Sequence, residues 1–195
     1  MSSSPDSLSD LLVRPVTPER WRDLETLFSE SKTCSSCWCM WFRLTRSQYQ
    51  LQSGNGNKLA MREIVGSGEV PGLLAYVDGK PIGWCSVAPR ETYPSLDRSR
   101  TLKRIDDAPV WSVVCFFVSR HFRGKGLMLK LLQAAVTYAG KHGATIVEGY
   151  PLDSDRGKMT NSAIYPGIAS VFHEAGFEEV ARRSARQAIL RYRIR

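Results

Sequence analysis

The stretch VWSVVCFFVSRHFRGKGLMLKLLQAAVTYAGKHG, residues 110–143, decides how this chain is read. Val113, Val114, Cys115, Phe116, Phe117 and Val118 form an unbroken β-branched and aromatic run, the composition of a strand buried on both faces. Beyond Gly124 and Gly126, the apolar residues Leu127, Leu131, Ala135 and Ala139 recur about once per helical turn, and Gly143 supplies a stop. A strand that feeds a short glycine-rich turn and then a helix aims backbone N–H groups and the positive helix end at one spot. Such a spot suits a pyrophosphate.

Two phosphate loops are excluded. A Walker loop requires Gly-Lys-Ser/Thr, but Leu127 and Met128 follow Gly126; a dinucleotide fingerprint requires a third glycine where Leu129 stands. What remains resembles motif A of the GNAT family of acetyl-CoA-dependent N-acetyltransferases, Arg/Gln-x-x-Gly-x-Gly/Ala. It is carried by Arg123-Gly124-Lys125-Gly126-Leu127-Met128, with Met128 in place of the last small residue.

Working outward, Leu11–Val16 predicts a strand, followed by a helix that Thr17-Pro18-Glu19 starts and that Trp21, Leu24, Leu27 and Phe28 stripe. Residues Cys34–Arg46 read as irregular, and a second helix spans about Asn57–Val65. Leu73–Val77 and Pro81–Val87 flank Asp78-Gly79 as a hairpin. Ala88–Pro109 and Pro151–Pro166 are long polar loops. Ala144–Tyr150 is a buried strand, Ile168–Ala175 a short helix, and Phe177–Arg183 with Gln187–Arg193 the last two strands. This order, with its central parallel β-α-β unit, also resembles the GNAT fold, which implies an α/β architecture with a mixed central sheet of about seven strands and about four helices. One domain over residues 1–195 is expected, with 1–9 as a tail.

Composition fits such a domain. Hydrophobic content is 43%, charged content 24%, and no apolar run approaches a membrane span. Five cysteines, three of them bunched, argue for a reducing cytoplasm rather than a disulfide framework. The net charge of +8 gathers in C-terminal arginines, yet Leu190, Tyr192 and Ile194 alternate with Arg191, Arg193 and Arg195, the pattern of an edge strand with a charged outer face. Nucleic acid is therefore not expected as a partner; a homodimer is left open.

The resemblance implies that Arg123, Gly124, Lys125, Gly126, Leu127 and Met128 hold the pyrophosphate of acetyl-CoA, and that the strand backbone near Phe117 and Val118 holds the pantetheine arm. Phe172-His173-Glu174-Ala175-Gly176-Phe177 resembles the family signature Tyr-x-x-x-Gly-Phe beside the thioester, with Phe172 standing where the family often has its proton-donating Tyr. Tyr165 and His173 are the candidate substitutes. At helical spacing Tyr165 shares a face with Phe172, and His173 lies about 100° away. Attack by a neutral amine requires a proton acceptor. Glu148, alone among carboxylates in its apolar strand, is the leading candidate base, ahead of Glu91, Asp153 and Asp155. Cys34, Cys37 and Cys39 could reach one zinc, but no fourth ligand lies nearby and no metal is expected. With Trp38, Met40, Trp41 and Phe42 they would instead wall an apolar acceptor pocket. The reading is an acetyl-CoA:amine N-acetyltransferase acting on a small-molecule or peptide amine, the alternatives being an acyl-CoA-binding module without turnover and an RNA-binding protein.

Overall fold

The computed structural model describes residues 8–153 and 165–195. Seven strands form one mixed sheet in the order β1-β2-β3-β4-β5-β7-β6. They are β1 Leu12–Pro15, β2 Gly72–Val77, β3 Lys80–Pro89, β4 Trp111–Val118, β5 Ile146–Gly149, β6 Glu178–Arg182 and β7 Ala188–Arg193. Of the adjacent pairs, β4–β5 alone is parallel, and helix α6 (Leu127–Lys141) makes the crossover that a parallel pair needs. Asp78 and Gly79, with φ of 50° and 73°, form the β2–β3 turn that Asp-Gly predicts.

The other described α-helices are α1 (Trp21–Ser29), α2 (Lys32–Cys37), α3 (Arg46–Leu51), α4 (Asn55–Gly66), α5 (Pro94–Arg98) and α7 (Ala169–Glu174), and short 3-10 turns lie at Pro18–Arg20, Arg90–Thr92 and Arg120–Phe122. That is more helices than the sequence suggests, because several are a single turn or little more. Helix α2 occupies part of the stretch expected to be irregular; Ser31 starts it by accepting from the Cys34 amide. Helix α3 begins with a reciprocal capping box between Thr45 and Gln48, a signal legible as Thr-x-x-Gln.

Helices α6 and α7 cover one face of the sheet through a core that includes Val113, Phe116, Leu131, Ala135 and Phe172. Helices α1, α2 and α4 cover the other, where Trp21, Phe28, Trp38, Trp84 and Phe117 pack. Residues 90–109 fold over a third cluster containing Tyr93, Leu96, Val114 and Ile189. Strand β7, expected at the edge, lies between β5 and β6, so β6 is the edge strand on that side and β1 on the other. The alternation does mark a strand, but the Arg191 side chain is only 5% exposed because carboxylates meet it inside.

Strand β4 departs from regular pairing on both sides. Opposite β3 its register shifts: Cys115 faces Ser86 and Val113 faces Val87, leaving Val114 as an extra residue. Such a bulge breaks strict alternation, and both Val114 and Cys115 pack on the face away from α6. On the β5 side, pairing stops at Val113 and Gly149. Further along, the Phe116 amide donates instead to the Tyr165 carbonyl at 2.6 Å.

Candidate active site

Where β4 leaves β5, a cavity of about 370 Å³ opens against the start of α6. Phe117, Val118, Arg123, Gly124, Gly126, Leu127 and Met128 all line it, together with Phe116, Ile168 and Tyr165. Gly124 and Gly126 hold φ of 72° and 78°, a left-handed conformation that glycine takes without strain. A Cβ at either position would point into open space, so the turn presents bare backbone. In any helix the first amides lack an intrahelical partner, and here they belong to the first turn of a 15-residue helix. The Arg123 Nε donates to the Val118 carbonyl at 3.0 Å, tying the turn to the strand end. Lys125 reaches back over the Phe122 ring at 5.4 Å. Exposed amides with basic side chains around them fit a pyrophosphate.

Phe172, expected beside a thioester, does not line this cavity. It is fully buried, with Phe116 and Phe177 edge-on to its ring. Its approach to β5 is so close that a Cβ at Gly149 would overlap the ring. Ile168 and Val171 supply the α7 side of the cavity instead. Tyr165 lies in the turn before α7 rather than on that helix, so its face is set by the turn and not by helical periodicity. The exposed His173 sits with Nδ1 at 3.1 Å from the Phe177 carbonyl, closing the end of α7 away from the cavity.

On the opposite face a second cavity, of about 260 Å³, is lined by Cys34, Cys37, Cys39, Cys115, Trp41, Phe42, Tyr49, Val114 and Tyr165, among others. Among the described residues, Tyr165 is the one that lines both of these cavities. Its phenol lies 3.3 Å from the Ser31 hydroxyl and accepts from the Cys34 thiol at 3.8 Å. Burial raises the Tyr165 pKa, so the phenol keeps its proton throughout the neutral range. The expected apolar wall forms in part: Trp41 and Phe42 line the cavity, whereas Trp38 and Met40 are turned into the core. Trp38 and Cys39 reach their places with consecutive positive φ values of 48° and 53°. For residues with a side chain this costs roughly 1–2 kcal/mol each, offset by Trp38 stacking on Trp21 and by the Trp84 indole donating to the Cys39 sulfur at 3.1 Å.

The thiols are neutral at ordinary pH. Burial pushes Cys34 up to about 12 and raises Cys37 as well. Cys39 is raised by its hydrogen bond to Cys115 and by burial. For Cys115 that bond pulls downward, and burial with the neighbouring thiols outweighs it. Neutral buried thiols behave as small apolar groups and poor nucleophiles. Among the described residues no group of three or more His, Cys, Asp or Glu is placed to hold a metal.

Glu148, the expected base, lines neither cavity. It accepts from Arg90 Nη1 and Arg191 Nε, both at 2.8 Å, and from the Tyr150 phenol at 2.7 Å. Arg90 and Arg191 in turn reach Asp97 and Asp106. Glu148 is thus the centre of a buried ion cluster that ties Arg90, Asp97 and Asp106 to the sheet, and its carboxylate oxygens are taken up by that cluster. Glu91 pairs with Arg104 and Asp153 with Arg182; Asp155 lies outside the described residues. Sequence reading overlooks Ser31, Tyr49 and Cys115 as cavity neighbours; only the Ser31 helix start carries a local signal.

The Acetyltransferase (GNAT) family profile matches residues 23–151. No curated protein matches the chain in sequence. Solved structures with the same fold include a GNAT acetyltransferase from Listeria monocytogenes, 13% identical with a TM-score of 0.58, covering 94% of this chain and 95% of that one. The PaiA N-acetyltransferase from Thermoplasma acidophilum in complex with coenzyme A is 14% identical with a TM-score of 0.54, over 95% and 99% of the two chains. The polyamine N-acetyltransferase of Drosophila melanogaster is 10% identical with a TM-score of 0.57, over 95% and 100%. Turn, opened sheet and family profile agree: this chain belongs to the GNAT acetyltransferase family.

Proposed function

We propose that the protein transfers an acetyl group from acetyl-CoA to a primary amine by direct attack. The observation that carries this is that Tyr165 lines two cavities, one of them bounded by the bare Gly124–Gly126 turn. The coenzyme A complex of the Thermoplasma relative supports the choice of donor.

In this reading the Gly124–Gly126 amides, with Arg123 and Lys125, take the pyrophosphate. The pantetheine arm lies along Phe117 and Val118 and brings the thioester towards Tyr165. The amine lone pair attacks the acetyl carbon, a C–N bond forms, and the C–S bond breaks. Tyr165 gives its proton to the departing sulfur, and the proton released by the nitrogen returns the phenol to its neutral form. No carboxylate is required, and holding both reactants in place supplies proximity. A reading as an acyl-CoA binder without turnover rests on Phe172 lacking a proton; Tyr165 provides one nearby. A nucleic-acid reading loses force because Arg182 and Arg191 are engaged by carboxylates.

The test is thermal melting with acetyl-CoA, followed by thiol release across a panel of amines. Acetyl-CoA should raise the melting temperature, since it binds only the folded chain. Gly126→Glu, which places a side chain and a negative charge in a left-handed site, should remove most of that rise. Tyr165→Phe should lower kcat by about a hundredfold, a common size for loss of a general acid, while leaving the acetyl-CoA shift in place. Full activity in Tyr165→Phe would refute the proton path.

A further inference from the structure

We infer that the acceptor is a compact amine with a single aromatic or branched apolar body and no second charge, of the arylalkylamine kind. The inference rests on the acetyl-transfer reading and concerns the second cavity alone.

Among the described residues lining that cavity there is no Asp, Glu, Lys or Arg. Its walls are thiols, the rings of Trp41, Phe42 and Tyr49, and the aliphatic Val114 and Pro166, with the uncharged hydroxyl residues Thr33 and Tyr165 as the other polar members. The thiols, with raised pKa values, carry no charge at neutral pH. Arg43 acts on these walls from outside the lining: its charge lowers the Cys39 pKa, and it stacks over the Tyr93 ring at 4.8 Å. A di- or triamine would have to place a second ammonium in this cavity with no carboxylate among the described lining residues to meet it, and burying an unpaired charge is costly. An amino acid or acidic amine would find no cation among the described lining residues. Conversely, an uncharged apolar cavity favours the free base of the acceptor over its ammonium. The nucleophile is thereby delivered in its reactive form without a carboxylate base, which agrees with Glu148 being committed elsewhere.

Size sharpens the class. At about 260 Å³ the cavity falls just below the roughly 300–1,000 Å³ typical of drug-sized ligands, which leaves room for one ring and a short arm. Trp41 is half exposed and meets Tyr49 edge-on at 5.1 Å. An aromatic body entering there gains ring contacts beyond its buried area.

Thiol release at saturating acetyl-CoA, with 2-phenylethylamine, propylamine, spermidine and lysine as acceptors, tests this on the full chain. We expect kcat/KM for 2-phenylethylamine to exceed that for propylamine by at least about tenfold, the usual worth of extra apolar groups in a fitted pocket. It should exceed the values for spermidine and lysine by at least about a hundredfold, because each buries an unpaired charge. Trp41→Ala, at a half-exposed site that should still fold, is expected to raise KM for 2-phenylethylamine by about fivefold or more, with KM for acetyl-CoA unchanged. Spermidine or lysine as the better substrate would overturn this inference and leave acetyl transfer standing, and so would an unchanged amine KM in Trp41→Ala. Acetyl-CoA stabilisation with no amine acetylated would overturn both the transfer reading and this inference.

Discussion

Replacing Glu148 with Gln keeps the shape of the side chain and removes the charge that Arg90 and Arg191 share. Their side chains are only 1% and 5% exposed. Breaking a buried pair costs about 3–5 kcal/mol, and the low end applies because Asp97 and Asp106 each retain one arginine. Urea unfolding should therefore show a loss near 3 kcal/mol, while the pH dependence of turnover in the surviving folded protein stays as in the parent. A base would change that profile whatever the loss of stability. The sequence shows that Glu148 stands alone among apolar neighbours. It cannot show the partners, because Arg90 lies 58 positions before it and Arg191 43 after, and neither distance belongs to any local period. Tyr165 is legible as a phenol near the right signature, but its position depends on a turn that no periodicity describes.

Among the elements, β4, its turn and α6 are readable because each link is local: a buried apolar run, two glycines and a helical stripe. The β2–β3 hairpin is readable for the same reason. What stays hidden is set by contacts between elements. The bulge at Val114 answers to β3, and the place of β7 inside the sheet answers to its pairing with β5 and β6. Phe172 likewise answers to Gly149, since a helix this short takes its angle from what it packs on. Gly149→Ala should destabilise by about 1–3 kcal/mol through overpacking. Adding Phe172→Leu to that variant should restore part of the loss, since the smaller side chain vacates the space, and chemical denaturation of the three proteins would measure it. An unaltered midpoint in Gly149→Ala would mean that the two sites do not press on each other.

At the scale of the molecule, carboxylates that meet arginines hold residues 90–109 and the β6 edge in place. The Arg191 hydrogen bonds depress the Asp106 pKa, and Arg182 does the same for Glu179. For Asp97 burial pushes upward, but the bond and charge of Arg90 outweigh it and the result is again a lowered value. Lowered folded values mean stability that is fully present above the unfolded carboxylate range, about 3.9–4.3, and lost as pH falls through the folded values. Urea midpoints should thus stay level from pH 7 to about 4.5 and drop below that, and Asp106→Asn should flatten the drop. A midpoint that declines steadily from pH 7 would contradict this. The unzipped end of β4 has a different consequence. A fully paired sheet is a partition, and anything on one side must travel round the rim to meet anything on the other. Here β4 parts from β5 beyond Val113 and Tyr165 stands in the gap, lining a cavity on each face, so in the proposed reading donor and acceptor approach from opposite sides and neither has to travel round the rim.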